Sequence, residues 1–255
     1  MSPRKTVRTM QLLQLPTPPA AIIRDEINLP VGYIHPTWAI DLVGEWKKSE
    51  ELLKVGAFPT QSLLLRGPSG TGKTTSARWI AQQLKLPLFS MSIASTIASF
   101  LGETGKNIEA VIRYGLTTPC VILMDEIDSI AASREVKKSD VGEIWRITNS
   151  LIQSLDAWHA APHRSLLIAT TNMMDNSIDS AVHRRFELQF SVPLPSSQEL
   201  SRIAGVPWPE DLRISQADCR RMVLQAKRAS VMTGGEYSLI LMAMCTNAQA
   251  GDLPF

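Results

Sequence analysis

Apolar positions along this chain of 255 residues follow two alternating rhythms. Short segments at 63–65, 86–91, 120–124, 165–170 and 187–191 predict five strands. Leu63-Leu64-Leu65, Val121-Ile122-Leu123-Met124 and Leu166-Leu167-Ile168-Ala169 are continuous apolar runs, as expected of strands buried on both faces. Between them, residues 74–84, 106–115, 142–158 and 178–184 carry the helical period, which in the first places Ala77, Ile80, Ala81 and Leu84 together. Alternating strand and helix predict an α/β fold with a five-stranded parallel sheet covered by helices on both faces. A helix is also expected at 37–55, with Thr37 as its cap and Trp38, Leu42, Trp46 and Leu53 on or near one face.

Pro193-Leu194-Pro195 ends the alternation, and only helical segments follow, at 197–204, 216–229 and 236–247. The expected organisation is an extended proline-rich segment over 1–36, a large α/β domain over 37–195 and a small helical lid over 196–255.

Composition narrows the class without naming it. A net charge of +2 is too small to suggest a nucleic-acid surface, and much of the excess sits in a terminal cluster, Arg4, Lys5 and Arg8. The three cysteines are widely spaced with no zinc pattern, so a reducing, cytoplasmic setting is expected. Residues 1–24 contain no acid, which keeps an organellar transit peptide open as an alternative. No apolar run approaches the roughly 18 residues of a membrane span.

The chemistry starts at Gly67-Pro68-Ser69-Gly70-Thr71-Gly72-Lys73-Thr74, between a predicted strand and a predicted helix. Glycines at this spacing let successive backbone N–H groups turn around a polyphosphate, and the helix N-terminus adds its dipole. Lys73 supplies a point charge for the terminal phosphates, and the Thr74 hydroxyl can join a Mg²⁺ shell. Asp125 and Glu126 follow another buried run, placing two carboxylates where open α/β sheets bind ligands. Asp125 is suited to the metal shell and Glu126 to polarising an attacking water. Asn172 ends a third run, where it can orient water or sense a phosphate. Arg184 and Arg185 precede the last strand, and guanidinium forks match phosphate oxygens.

Taken together, GPSGTGKT, VILMDEIDSIAASRE, LLIATTNMMDNSIDSAVHRRFE and VPLP closely resemble the AAA subclass of the AAA+ ATPases, most of all its katanin and spastin branch. The resemblance spans about residues 37–195 strongly and 196–255 weakly. It implies ATP and Mg²⁺ as cofactors, and an ATP site formed by Pro68, Ser69, Gly70, Thr71, Gly72, Lys73, Thr74 and Thr75. Thr74 and Asp125 become metal ligands, Glu126 the hydrolytic acid, Asn172 the sensor, and Arg184 and Arg185 fingers acting on a neighbour's ATP. Gly234-Gly235 falls near the family's Gly-Ala pair at the nucleotide.

The resemblance also implies a ring or spiral homo-hexamer. Phe100, Leu101 and Gly102 match the loop that lines the pore of such rings and grips a polypeptide, and 134–140 is a candidate second pore loop. The expected function is therefore an ATP-driven motor that remodels, unfolds or translocates a polypeptide partner. The alternative is a regulatory or loader ATPase that switches an effector or nucleic-acid machinery without threading. With only about 36 residues before the motor, a separately encoded partner is expected to supply substrate choice or downstream activity.

Overall fold

The computed structural model describes residues 16–30, 33–99, 103–132, 141–160, 162–173 and 179–249. In chain order the elements are β1 (Ile23–Arg24), α1 (Thr37–Lys47), α2 (Ser49–Lys54), β2 (Ser62–Arg66), α3 (Lys73–Leu84), β3 (Leu88–Ser92), α4 (Ile93–Ser99), α5 (Thr104–Thr117) and β4 (Val121–Asp125). They continue with α6 (Ser129–Ala132), α7 (Val141–His159), β5 (Leu166–Thr171), α8 (Ser180–His183), β6 (Leu188–Ser191), α9 (Ser197–Ala204), α10 (Gln216–Thr233) and α11 (Tyr237–Gln249).

The strands form one sheet in the order β1-β3-β4-β5-β2-β6. The five expected strands are all parallel to one another, and β2 lies between β5 and β6. Only β1 departs from the expected count. Ile23 and Arg24 pair antiparallel with Ser90 and Phe89, adding an edge strand from within the proline-rich segment. The prolines flank this pair and do not interrupt it, so both residues can join an edge ladder.

Strand pleating separates the two cores. Leu64, Ile122, Met124, Leu167 and Ala169 face one side, where Ile108, Ile112, Ile147, Leu155 and Trp158 of α5 and α7 cover them. Leu63, Leu65, Val121, Leu123 and Ile168 face the other side, against Leu42 and Val43 of α1 and Ala77, Ile80 and Ala81 of α3. Helices α9–α11 enclose a third cluster, with Leu200, Trp208, Met222, Leu241 and Cys245 buried together. Among the described residues no helix is long and apolar enough to cross a membrane.

Two local expectations fail. Thr37 is the first helical residue; Pro36 stands at the cap position and no side chain caps it. The expected single helix over 37–55 breaks at Lys48. There Trp46 Nε1 donates to the Thr60 carbonyl at 2.8 Å, and Glu45 accepts the Thr60 hydroxyl at 3.0 Å. These bonds fix the end of α1, and Leu53 on α2 is left exposed.

Candidate functional site

Three strand ends deliver the site. The loop from β2 to α3, the end of β4 and the end of β5 meet around one cavity of about 230 Å³. Ser69, Gly70, Gly72, Lys73, Thr74, Thr75, Asp125, Glu126 and Asn172 all line it. Gly72 stands at the N-cap of α3 with φ of 99°, a conformation that glycine adopts without a Cβ clash. The N-terminus of α3 thus opens into the cavity.

Lys73 is 7% exposed, and its ammonium donates to the carbonyls of Gly67 at 2.7 Å and Pro68 at 2.9 Å and to Asn172 Oδ1 at 2.8 Å. Burial lowers its pKa, and Asp125, Asp128 and Glu126 oppose that shift. Thr74 Oγ1 donates to Asp125 Oδ2 at 3.1 Å, so the two expected metal ligands are adjacent. Thr170 Oγ1 donates to Asp125 Oδ1 and accepts the Glu126 N–H at 3.1 Å. One hydroxyl therefore ties the Asp125 carboxylate to the Glu126 backbone. Glu126 has φ of 58°, which for a residue with a side chain stores about 1–2 kcal/mol of strain. Strain of this kind persists where surrounding contacts over-determine the backbone, and it gathers at functional sites.

Pro68 and Thr71 do not line this cavity. The Thr71 hydroxyl donates to the Pro68 carbonyl at 2.9 Å, which stiffens the loop. Arg184 and Arg185 lie outside the lining as well. Arg184 is exposed, whereas Arg185 forks onto Asp156 of its own chain, Nε to Oδ1 at 2.7 Å and Nη2 to Oδ2 at 3.1 Å. The candidate pore residues Phe100, Leu101 and Gly102, and the segment 134–140, fall outside the described residues.

Several lining residues escaped the sequence reading: Pro30, Tyr33, Thr170, Gln216, Ala217 and Arg220. Tyr33 comes from the proline-rich segment and shares a 2.7 Å hydrogen bond with Ser76 Oγ on α3. Burial raises its phenol pKa, so it stays neutral. Gln216, Ala217 and Arg220 come from the first turns of α10. Ser215 caps that helix by accepting from Asp218 N, and the Ser-x-x-Asp spacing was the available signal. Ala217 N donates to the Gly70 carbonyl at 3.1 Å, docking α10 directly on the phosphate loop. Gly234-Gly235 has no part in this: Gly234 ends α10 in the left-handed conformation, away from the cavity lining. The helix start, not its end, meets the loop. A second cavity of about 210 Å³ adjoins the first through Tyr33 and Gln216 and is walled by Ile34, Pro36, Trp38 and Val192.

Residues 63–194 match the sequence profile of the ATPase family associated with various cellular activities (AAA). The chain is 36% identical over 148 residues to an uncharacterized AAA family ATPase of Sinorhizobium fredii, covering 58% of this chain and 43% of that protein. It is 29% identical over 197 residues to Fidgetin-like protein 1 of Caenorhabditis elegans, covering 76% of this chain and 32% of that protein. It is also 37% identical over 149 residues to the ATPase-like fidgetin of Schizosaccharomyces pombe, covering 55% and 22% respectively. A crystal structure of the FIGL-1 AAA domain superposes with a TM-score of 0.64 at 27% identity, covering 85% of this chain and 78% of that one. The chain spans less than half the length of these curated relatives.

Proposed function

The chain belongs to the AAA family and carries its P-loop ATPase fold, and on that premise we propose that it hydrolyses ATP to remodel a polypeptide partner within a ring or spiral of six copies. The observation that carries this reading is the meeting of Lys73, Thr74, Asp125, Glu126 and Asn172, from three separate strand ends, on one cavity.

The residues present suit ATP with Mg²⁺. The loop and α3 N-terminus offer backbone N–H groups to the phosphates, Lys73 offers a cation, and Thr74 with Asp125 offers hard oxygen ligands. When bound, the metal neutralises charge on the polyphosphate. Glu126 accepts the proton of the attacking water, while Asn172 holds that water or the terminal phosphate in line. Arg184 and Arg185 belong to the segment that completes the site of the next copy. The cavity beside Trp38 and Tyr33 suits the nucleoside, because it combines aromatic and proline walls with the polar end of Gln216.

Hydrolysis shared between copies makes assembly a condition of turnover. Phe100, Leu101 and Gly102 are assigned to the pore, where an aromatic ring grips an extended chain without demanding a particular sequence. Substrate choice is assigned to a separate adaptor protein. A Glu126→Gln variant tests the whole reading: with ATP it should retain a bound polypeptide in a pull-down. Recovery of nucleic acid alone would overturn it.

A further inference from the structure

The adjacent arginines sit on a segment that α7 and the sheet hold from both sides. Val182 and His183 are buried before the pair, and Phe186 is buried after it. Arg66 Nη2 bonds His183 Nδ1 at 2.7 Å, linking the segment to the residue just before the phosphate loop. Burial first, and then Arg66, lower the His183 pKa, which keeps the ring neutral as an acceptor. On the other side stand Asp156 and His159, in the last turn of α7. Asp156 receives the Arg185 fork, and Arg185 Nη1 donates to the Ala181 carbonyl at 2.9 Å. His159 Nδ1 lies 3.0 Å from Glu187 Oε1, and its Nε2 lies 3.0 Å from the Arg185 carbonyl.

The Asp156 carboxylate is 57% exposed and Arg185 is 30% exposed. An ion pair that wet adds little stability, so its consequence is geometric: a bidentate fork fixes direction. Arg185 spends donors on all three of its nitrogens within its own chain. Arg184 makes no side-chain hydrogen bond or ion pair among the described residues.

We propose that the pair is divided in labour: Asp156 and His159 are positioning residues that hold Arg185 as an anchor in its own subunit and so present Arg184 to the ATP of a neighbouring copy. This rests on the reading that the arginine segment acts between subunits. Replacing Asp156 frees the fork without touching the subunit's own phosphate loop, and a misplacement of about 1 Å can cost up to about 10²-fold in rate.

The test is steady-state ATPase with nucleotide titration on the full chain. Arg184→Ala should lower kcat by about 10³-fold or more. Asp156→Ala and Arg185→Ala should each lower it by a smaller and similar factor, with nucleotide affinity unchanged and no further loss in the double variant. His159→Gln, whose amide lacks the two ring nitrogens that bridge Glu187 and the Arg185 carbonyl, should act in the same direction. Mixing Asp156→Ala with Glu126→Gln subunits should restore turnover above the sum of the two, because sound acids then meet sound fingers. A defect in the subunit's own fold would give no such gain. Asp156→Ala with full kcat beside an inactive Arg184→Ala would overturn the division of labour and leave the finger reading standing. Wild-type turnover in Arg184→Ala would overturn the finger reading itself.

Discussion

Lys73 Nζ lies 2.8 Å from Asn172 Oδ1 and completes its set of donors on the Gly67 and Pro68 carbonyls. An ammonium has three N–H donors, so bringing it onto a phosphate means releasing some of these acceptors. Asn172 turns its oxygen to the lysine, which leaves its amide N–H₂ as the donor for substrate. Lys73→Ala should weaken nucleotide binding in a fluorescence titration, and unchanged affinity would refute its phosphate role. Asn172→Ala should instead cost about 10²-fold in kcat, as loss of one oriented donor does, with affinity little changed.

Glu126 combines a strained backbone with the acid role. Glu126→Gln should bind ATP, accumulate as an assembled state and nearly stop hydrolysis. Glu126→Asn should also be inactive, yet equally or more stable by about 0.5–1 kcal/mol in urea unfolding, because asparagine tolerates positive φ better. A loss beyond 1 kcal/mol would mean the glutamate side chain supports the fold.

Gly70 is where the loop and α10 touch. A Cβ there would lie 2.5 Å from Ser215 Oγ and 3.0 Å from Ala217 Cβ, at φ of 75°. Gly70→Ala should therefore push α10 off the loop and cost roughly 1–2 kcal/mol in stability. Nucleotide affinity should fall as well, since the displaced α10 carries Gln216, Ala217 and Arg220 of the cavity lining. Calorimetry reads both, and wild-type affinity would show that the docking has no bearing on binding.

Trp158 is fully buried under the sheet, and its indole N–H donates to the Gln61 carbonyl at 2.9 Å. Trp158→Ala should destabilise the protein by about 3–5 kcal/mol in denaturant titration. A change below 1 kcal/mol would contradict its place at the centre of that core.

His159 should make stability depend on pH. Its pKa is raised, first by the bond to Glu187, with help from the Arg185 carbonyl and Asp156 and against the effect of burial. His163, whose own pKa burial lowers, and the Ser62 hydroxyl also face this region. A folded pKa above the ordinary 6.5 means the contribution is complete below that value and is lost as pH rises through the folded pKa. Unfolding from pH 6 to pH 8.5 should show wild-type protein losing an increment that His159→Gln never had. Equal slopes would place the charged imidazole outside the clamp.

The central strands and the phosphate loop were readable because their signals are local: a continuous apolar run, a glycine spacing, a lysine beside a threonine. The helix at 197–204 was equally plain, since Ser196 and Glu199 form a capping box within a single turn. Other features had no local signal. Ile23 and Arg24 become a strand only because Ser90 and Phe89 offer an edge. The break at Lys48 depends on Thr60 binding the end of α1. Tyr33 joins the site through Ser76, 43 residues away.

By itself the sequence determined that this chain makes a parallel α/β sheet around a phosphate loop backed by two acids, because backbone conformation and reactive chemistry there depend on residues a few positions apart. Only the tertiary structure decided how the two arginines differ. Asp156 and Arg185 are 29 residues apart and meet across the packing of α7 on α8, so no spacing along the chain could show which arginine is anchored and which is exposed.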